Sequence, residues 1–111
     1  MKTKSTIHYR QGDVLIERIS SLPAVTTKLA REHGRVVLAH GEVTGHHHSL
    51  CEPDVDLHTS PEAAGVTFLE VREAMAALTH QEHAKIELPQ GIYRVTRQRE
   101  YSPQAIRNVQ D

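Results

Sequence analysis

The chain has 111 residues, 38% of them hydrophobic and 24% charged, with a formal net charge of -1. That composition argues against intrinsic disorder, and the near-neutral balance leaves no global field drawing the protein to nucleic acid or a membrane surface. The length gives room for one core and one site, so residues 1–111 read as a single domain.

In chain order, the N-terminal stretch MKTKSTIHYRQGDVLIERI has no apolar run long enough for a signal peptide or a membrane span. Cys51 is the only cysteine, which rules out an intrachain disulfide framework, and together these features lead us to expect a cytoplasmic protein. After a turn at Gln11-Gly12, period-two alternation predicts a strand from Asp13 to Ile19. A short helix is predicted from Ala24 to Glu32, ended by His33-Gly34. Strands follow at Arg35 to His40 and Thr44 to Leu50. Glu52-Pro53-Asp54 and Ser60-Pro61 read as loops. Further strands are predicted at Val66 to Arg72, Ala76 to Gln81, Lys85 to Leu88 and Ile92 to Arg99, with Pro89-Gln90-Gly91 as the clearest hairpin turn. A second short helix is expected after the serine cap and proline of Ser102-Pro103.

Short strands at this spacing predict a mostly β fold, a single small antiparallel β-barrel or sandwich with short peripheral helices. Phe68 and three tyrosines are the only aromatic residues, which leaves a modest aliphatic core. Homo-oligomerisation is the expected supplement.

Histidine is the outlier, with nine residues, and three of them are consecutive in GEVTGHHHSL. Imidazole is the commonest metal ligand in proteins. If residues 44–50 are extended, His46, His48 and Leu50 share one face, while His47, Ser49 and Cys51 point the other way. Next-but-one side chains lie about 7 Å apart, a spacing that lets His46 and His48 converge on one ion. In ALTHQEHAKIEL, His80 is the better third ligand and His83 a fourth. Glu42, Glu52 and Glu82 flank the histidines as ligands, orienting groups or general bases. Gly41 and Gly45 would permit a bulge beside the cluster. His8, His33, His40 and His58 stand apart and read as surface or satisfied polar side chains. Cys51 reads as a structural rather than nucleophilic cysteine.

In IYRVTRQREYSP, alternation puts Tyr93, Val95, Arg97 and Arg99 on one face and Ile92, Arg94 and Thr96 on the other. Arginines sharing a face with apolar residues can reach into a cleft and clamp a carboxylate or phosphate. The alternative is a solvated strand end paired with Glu87 and Glu100.

The stretch from Gly41 to Glu52, GEVTGHHHSLCE, resembles the first motif of the cupins, with His46, His48 and Glu52 at matching positions and the glycine one residue closer than usual. Pro89 and Gly91 in LPQGIYR resemble the turn of the second cupin motif. No histidine follows that turn, however, where Arg94 stands, and His80 and His83 precede it. The resemblance implies a cupin-like β-barrel with a metal site. GEVTGH and RQREYSP also resemble segments of small uncharacterised bacterial proteins, which implies no function.

These features lead us to expect a metal-dependent enzyme that binds one divalent transition metal, Zn, Fe, Mn, Ni or Cu, through His46, His48 and His80, with His83 or a glutamate completing the sphere. The expected chemistry is hydrolysis of a small anionic substrate such as a phosphoester, with Glu42 or Glu82 moving protons and Arg97 or Arg94 holding the anion. A cupin-like oxygenase or isomerase using His46, His48 and Glu52, and a non-catalytic metal- or ligand-binding module, are the alternatives. The small excess of basic residues near the C-terminus, including Arg107, makes a nucleic-acid partner the weakest reading.

Overall fold

The computed structural model describes residues 7–41 and 43–98, and every regular element among them is a strand. The strands are β1 (His8–Gln11), β2 (Val14–Ile19), β3 (Thr27–Lys28), β4 (Val36–His40), β5 (His47–Leu50), β6 (Val55–Thr59), β7 (Thr67–Leu78) and β8 (Ile86–Arg97). Six form an antiparallel sheet in the order β1-β2-β8-β7-β6-β3, and β4 pairs with β5 in a second, two-stranded sheet.

The β1–β2 hairpin closes through Gly12-Asp13. Gly12 sits at φ +61°, as the first central position of a primed two-residue turn demands, and the twist of such turns matches that of the strands. On β2 the alternation reads directly as burial, with Val14 and Ile16 inside.

β7 and β8 form a long arm that bends midway. Val71 faces Gly91 and Met75 faces Pro89, so Arg72, Glu73 and Ala74 stand opposite Gln90 alone. Across this bulge the buried set changes phase on both strands, from Leu69 and Val71 to Ala76 and Leu78 on β7, and from Leu88 to Tyr93 and Val95 on β8. The Pro89-Gln90-Gly91 hairpin expected from sequence does not form. Those residues lie inside β8 at the bend, where the irregular ladder tolerates a residue without an N–H. The Pro89 carbonyl accepts from Tyr93 Oη at 2.5 Å. Gly91 leaves room for the Arg18 guanidinium, since a Cβ there would lie 2.7 Å from Arg18 Nε.

The bend turns the tip of the arm back to the β1–β2 turn. Gln11, buried at the end of β1, donates through Nε2 to Leu78 O at 3.1 Å and to Ala84 O at 2.9 Å. The second sheet joins the same tip, where Ser49 and Thr79 exchange backbone hydrogen bonds of 3.0 and 2.9 Å. Val14, Ile16, Leu50, Leu69, Leu78 and Leu88 pack in the space so enclosed. The result is an antiparallel, mostly β protein whose sheet curls strongly without closing into a barrel.

The helix expected from Ala24 to Glu32 is absent. Pro23 and the β-branched run Val25-Thr26-Thr27 disfavour it, and Thr27–Lys28 pairs with β6 instead. Arg31 then fastens the segment by donating to Glu52 O at 2.6 Å and Val55 O at 2.9 Å. The helix expected after Ser102-Pro103 lies outside the described residues. No helix among the described residues is long and apolar enough to cross a membrane.

Candidate functional site

Three connections meet at one end of the curled sheet and line an open cavity of about 310 Å³. The β1–β2 turn contributes Gly12 and Asp13. The β4–β5 connection and the strand after it contribute Gly41, Val43, His46 and His48. The β7–β8 tip brings His80, Glu82 and His83, and Arg97 enters from the end of β8.

The four histidines form one cluster. His48 lies 4.3 Å from His80 and 5.9 Å from His83 between ring centroids, His80 lies 4.7 Å from His83, and His46 lies 5.6 Å from His80. Strand β5 begins only at His47, and residues 44–45 form a turn, with Gly45 at φ +87°. His46 therefore reaches the cavity from a loop rather than from the extended segment expected from Thr44. The nearby bulge lies at Leu38, between the pairs Val37–Ser49 and Ala39–His48, rather than at Gly41 or Gly45.

His48 is the fixed member, 2% exposed. Its Nδ1 lies 2.8 Å from Gln11 Oε1. Because Gln11 Nε2 is committed to two carbonyls, the amide cannot be reversed, and Oε1 must accept a proton from His48 Nδ1. The neutral ring therefore carries its lone pair on Nε2, which lies 3.9 Å from Asp13 Oδ1. Burial, with repulsion from His80 second, pushes the His48 pKa down to about 4 against the opposing pull of Asp13, so the ring is neutral at physiological pH.

His80 has the opposite tautomer. Its Nδ1 accepts the Glu82 backbone N–H at 3.0 Å, which leaves the proton of the neutral ring on Nε2. Burial, followed by His83 and His46, lowers its pKa. His46 Nδ1 lies 3.5 Å from Glu82 Oε2, and Glu82 is largely exposed at the mouth. Asp13 Oδ2 accepts from Arg97 Nε at 2.8 Å. Burial works to raise the Asp13 carboxyl, but the hydrogen bond and charge of Arg97 hold it below the usual range.

The remaining candidates lie elsewhere. Glu42 is outside the described residues. Glu52, which matches the cupin position, is absent from the cavity lining, and its Oε2 accepts from Ala77 N–H at 2.8 Å. Arg94 faces outward and pairs with Glu17 at 2.7 Å, while Arg97 follows Tyr93 and Val95 on the core side. His47 turns away to Ser49 Oγ at 2.9 Å. His58 pairs with Glu70 at 3.1 Å and His40 with Glu32 at 2.9 Å. Cys51 is exposed rather than buried. Gln11 and Asp13 were not singled out from sequence. The Gln11-Gly12 turn was the available signal, but nothing local indicates that it meets the β7–β8 tip.

Imidazoles backed by an amide and a carboxylate fit the donor set of a first-row transition metal. Among the described residues, no three His, Cys, Asp or Glu side chains converge on one point as a metal site requires. The imidazole rings pack edge-on and face-on instead.

The fold and pocket define an antiparallel β protein with a histidine-lined cavity beside an arginine–aspartate pair. A family model described as a domain of unknown function, DUF8820, matches residues 10–98, and the chain belongs to that family. Every residue named in the cavity wall lies within the matched span. Neither a curated protein nor a solved structure gives a significant match.

Proposed function

We propose that the pocket binds a divalent transition metal, Zn, Fe, Mn, Ni or Cu, through His46, His48 and His83, and that the protein is a metal-dependent hydrolase of small anionic substrates. The observation that carries this reading is the hydrogen bond between His48 and Gln11. A buried side chain with both amide hydrogens engaged holds an imidazole lone pair toward a cavity containing three more imidazoles. An amide or carboxylate behind a ligating histidine is the usual means of fixing its tautomer and raising its basicity.

His46 and His83 stand on loops and are partly or fully exposed, so their rings can turn toward a common ion at a rotamer cost of about 1 kcal/mol each. His80, the fourth imidazole, is the least suited to ligation. Ligation through its outer nitrogen requires loss of the Glu82 N–H bond, and as it stands that nitrogen is a hydrogen-bond donor to a bound group. A metal bound there would acidify water and polarise a phosphoryl or carbonyl oxygen. Glu82, exposed at the mouth beside His46, takes up the released proton, and Arg97 holds the anionic group. With Glu52 turned to Ala77, nothing favours the cupin-like oxygenase reading.

The test is elemental analysis of untagged protein, purified without immobilised metal, beside His48→Ala. Near-stoichiometric metal that is lost in the variant is the expected result. Absence of metal from both after incubation with each candidate ion at neutral pH would overturn the reading.

A further inference from the structure

Arg97 belongs to two cavities. Beyond the histidine pocket it also lines a smaller recess of about 110 Å³, whose floor is the core residues Val14 and Val95 and whose sides are Leu38, Ala39 and Thr67. Leu38 is the residue extruded by the β4 bulge, so an irregularity in the strand builds one wall of the recess. The recess holds no carboxylate or imidazole, whereas the adjoining pocket is dense with both.

The guanidinium is oriented for a shared role. Asp13 engages Arg97 side-on at Nε, and among the described residues no group accepts from its two Nη groups, which leaves them for an acceptor. The same carboxylate partly neutralises the arginine, so charge alone gives an anion only modest affinity. A second source of binding energy adjoins it in the apolar recess.

We propose that the ligand is a small anion carrying a short aliphatic group, with its charged end against Arg97 and the histidines and its chain in the recess. This rests on reading the histidine pocket as a small-molecule site and specifies what that site selects. At roughly 30 Å³ per water-sized volume, the recess accommodates a chain of about three or four carbons. Alkyl phosphates and alkyl carboxylates share the required chemistry.

The experiment is calorimetric titration with two series, inorganic phosphate to butyl phosphate and acetate to valerate, on wild type, Thr67→Leu and Leu38→Ala. Affinity should rise about two- to fourfold per added methylene up to the capacity of the recess in at least one series. The series that shows the rise identifies the anionic group. Thr67→Leu, which fills the recess, should remove the chain-length dependence. Leu38→Ala, which enlarges it, should move the optimum to a longer chain and stands as the test if Thr67→Leu does not fold.

Equal affinity along both series, or a rise that persists in Thr67→Leu with no change in Leu38→Ala, would overturn the proposal. Metal content measured on the same samples separates the two readings. Chain-length selection without metal removes the metal site and keeps this inference, and metal without selection does the reverse.

Discussion

Gln11 illustrates how one side chain can set the chemistry of another. Its amide hydrogens are spent on Leu78 O and Ala84 O, so its oxygen dictates the tautomer of His48. Replacing it with leucine removes that constraint, leaves a buried imidazole N–H without its acceptor and takes one donor from each of two carbonyls. Metal affinity in Gln11→Leu is expected to fall about 10- to 100-fold with His48 still present, together with a stability loss of about 1–3 kcal/mol. Competition against a chelator and urea denaturation measure the two effects, and unchanged metal affinity would remove Gln11 from the site. His46 and His48 were legible in the sequence because they stand two apart, whatever the exact start of the strand. Gln11 and Asp13 were not, because their partners lie far along the chain, at separations of 67 and 73 residues for the two Gln11 bonds.

At the level of elements, the β1–β2 turn forms one wall of the cavity as well as a strand connection. A Cβ on Gly12 would lie 2.9 Å from His83 Nε2 and 3.3 Å from His48 Cε1, on a backbone at φ +61°. Gly34 has a similar left-handed backbone at φ +79°, with open space around it. Gly12→Ala and Gly34→Ala are therefore expected to share a backbone penalty of about 1 kcal/mol. Only Gly12→Ala should move the ring resonances of His48 and His83 in an NMR spectrum. Equal ring shifts in both variants would mean that the turn does not bear on the cluster. Most strands announced themselves by alternation, but the long β7 and β8 were each read as two pieces because the bulge changes the buried phase. Pro89-Gln90-Gly91 looked like a hairpin because proline and glycine mark bends, and this bend lies within a strand rather than between two. Val55–Thr59 is obscured in the sequence by the turn signals of Pro53 and Pro61, two residues away on either side.

For the whole molecule, the histidine cluster ties stability to pH. An unfolded His48 titrates near 6.5, and the folded one at about 4. The unfolded chain therefore binds the proton first. The contribution is fully present above about pH 6.5, is lost as pH falls toward 4, and levels off below that. The difference corresponds to about 3 kcal/mol. His80 and His47 are displaced in the same direction. Urea denaturation of chelator-treated protein between pH 8 and pH 4 should show this decline, and His48→Gln should flatten it. A stability that stays level across the window would contradict the burial of a neutral His48.

The bulge at Arg72–Ala74 also bears on how the protein can change. No residue of the bulge lines the cavity, yet the bend folds the tip carrying His80, Glu82 and His83 onto the turn carrying Gly12 and Asp13. The two halves of the cavity wall are the jaws of a clasp whose spring lies at a distance. Lengthening or shortening the bulge by one residue would re-gauge the gap between the jaws without altering any side chain in it. Capacity can thus drift between related chains while the chemistry of the lining stays the same.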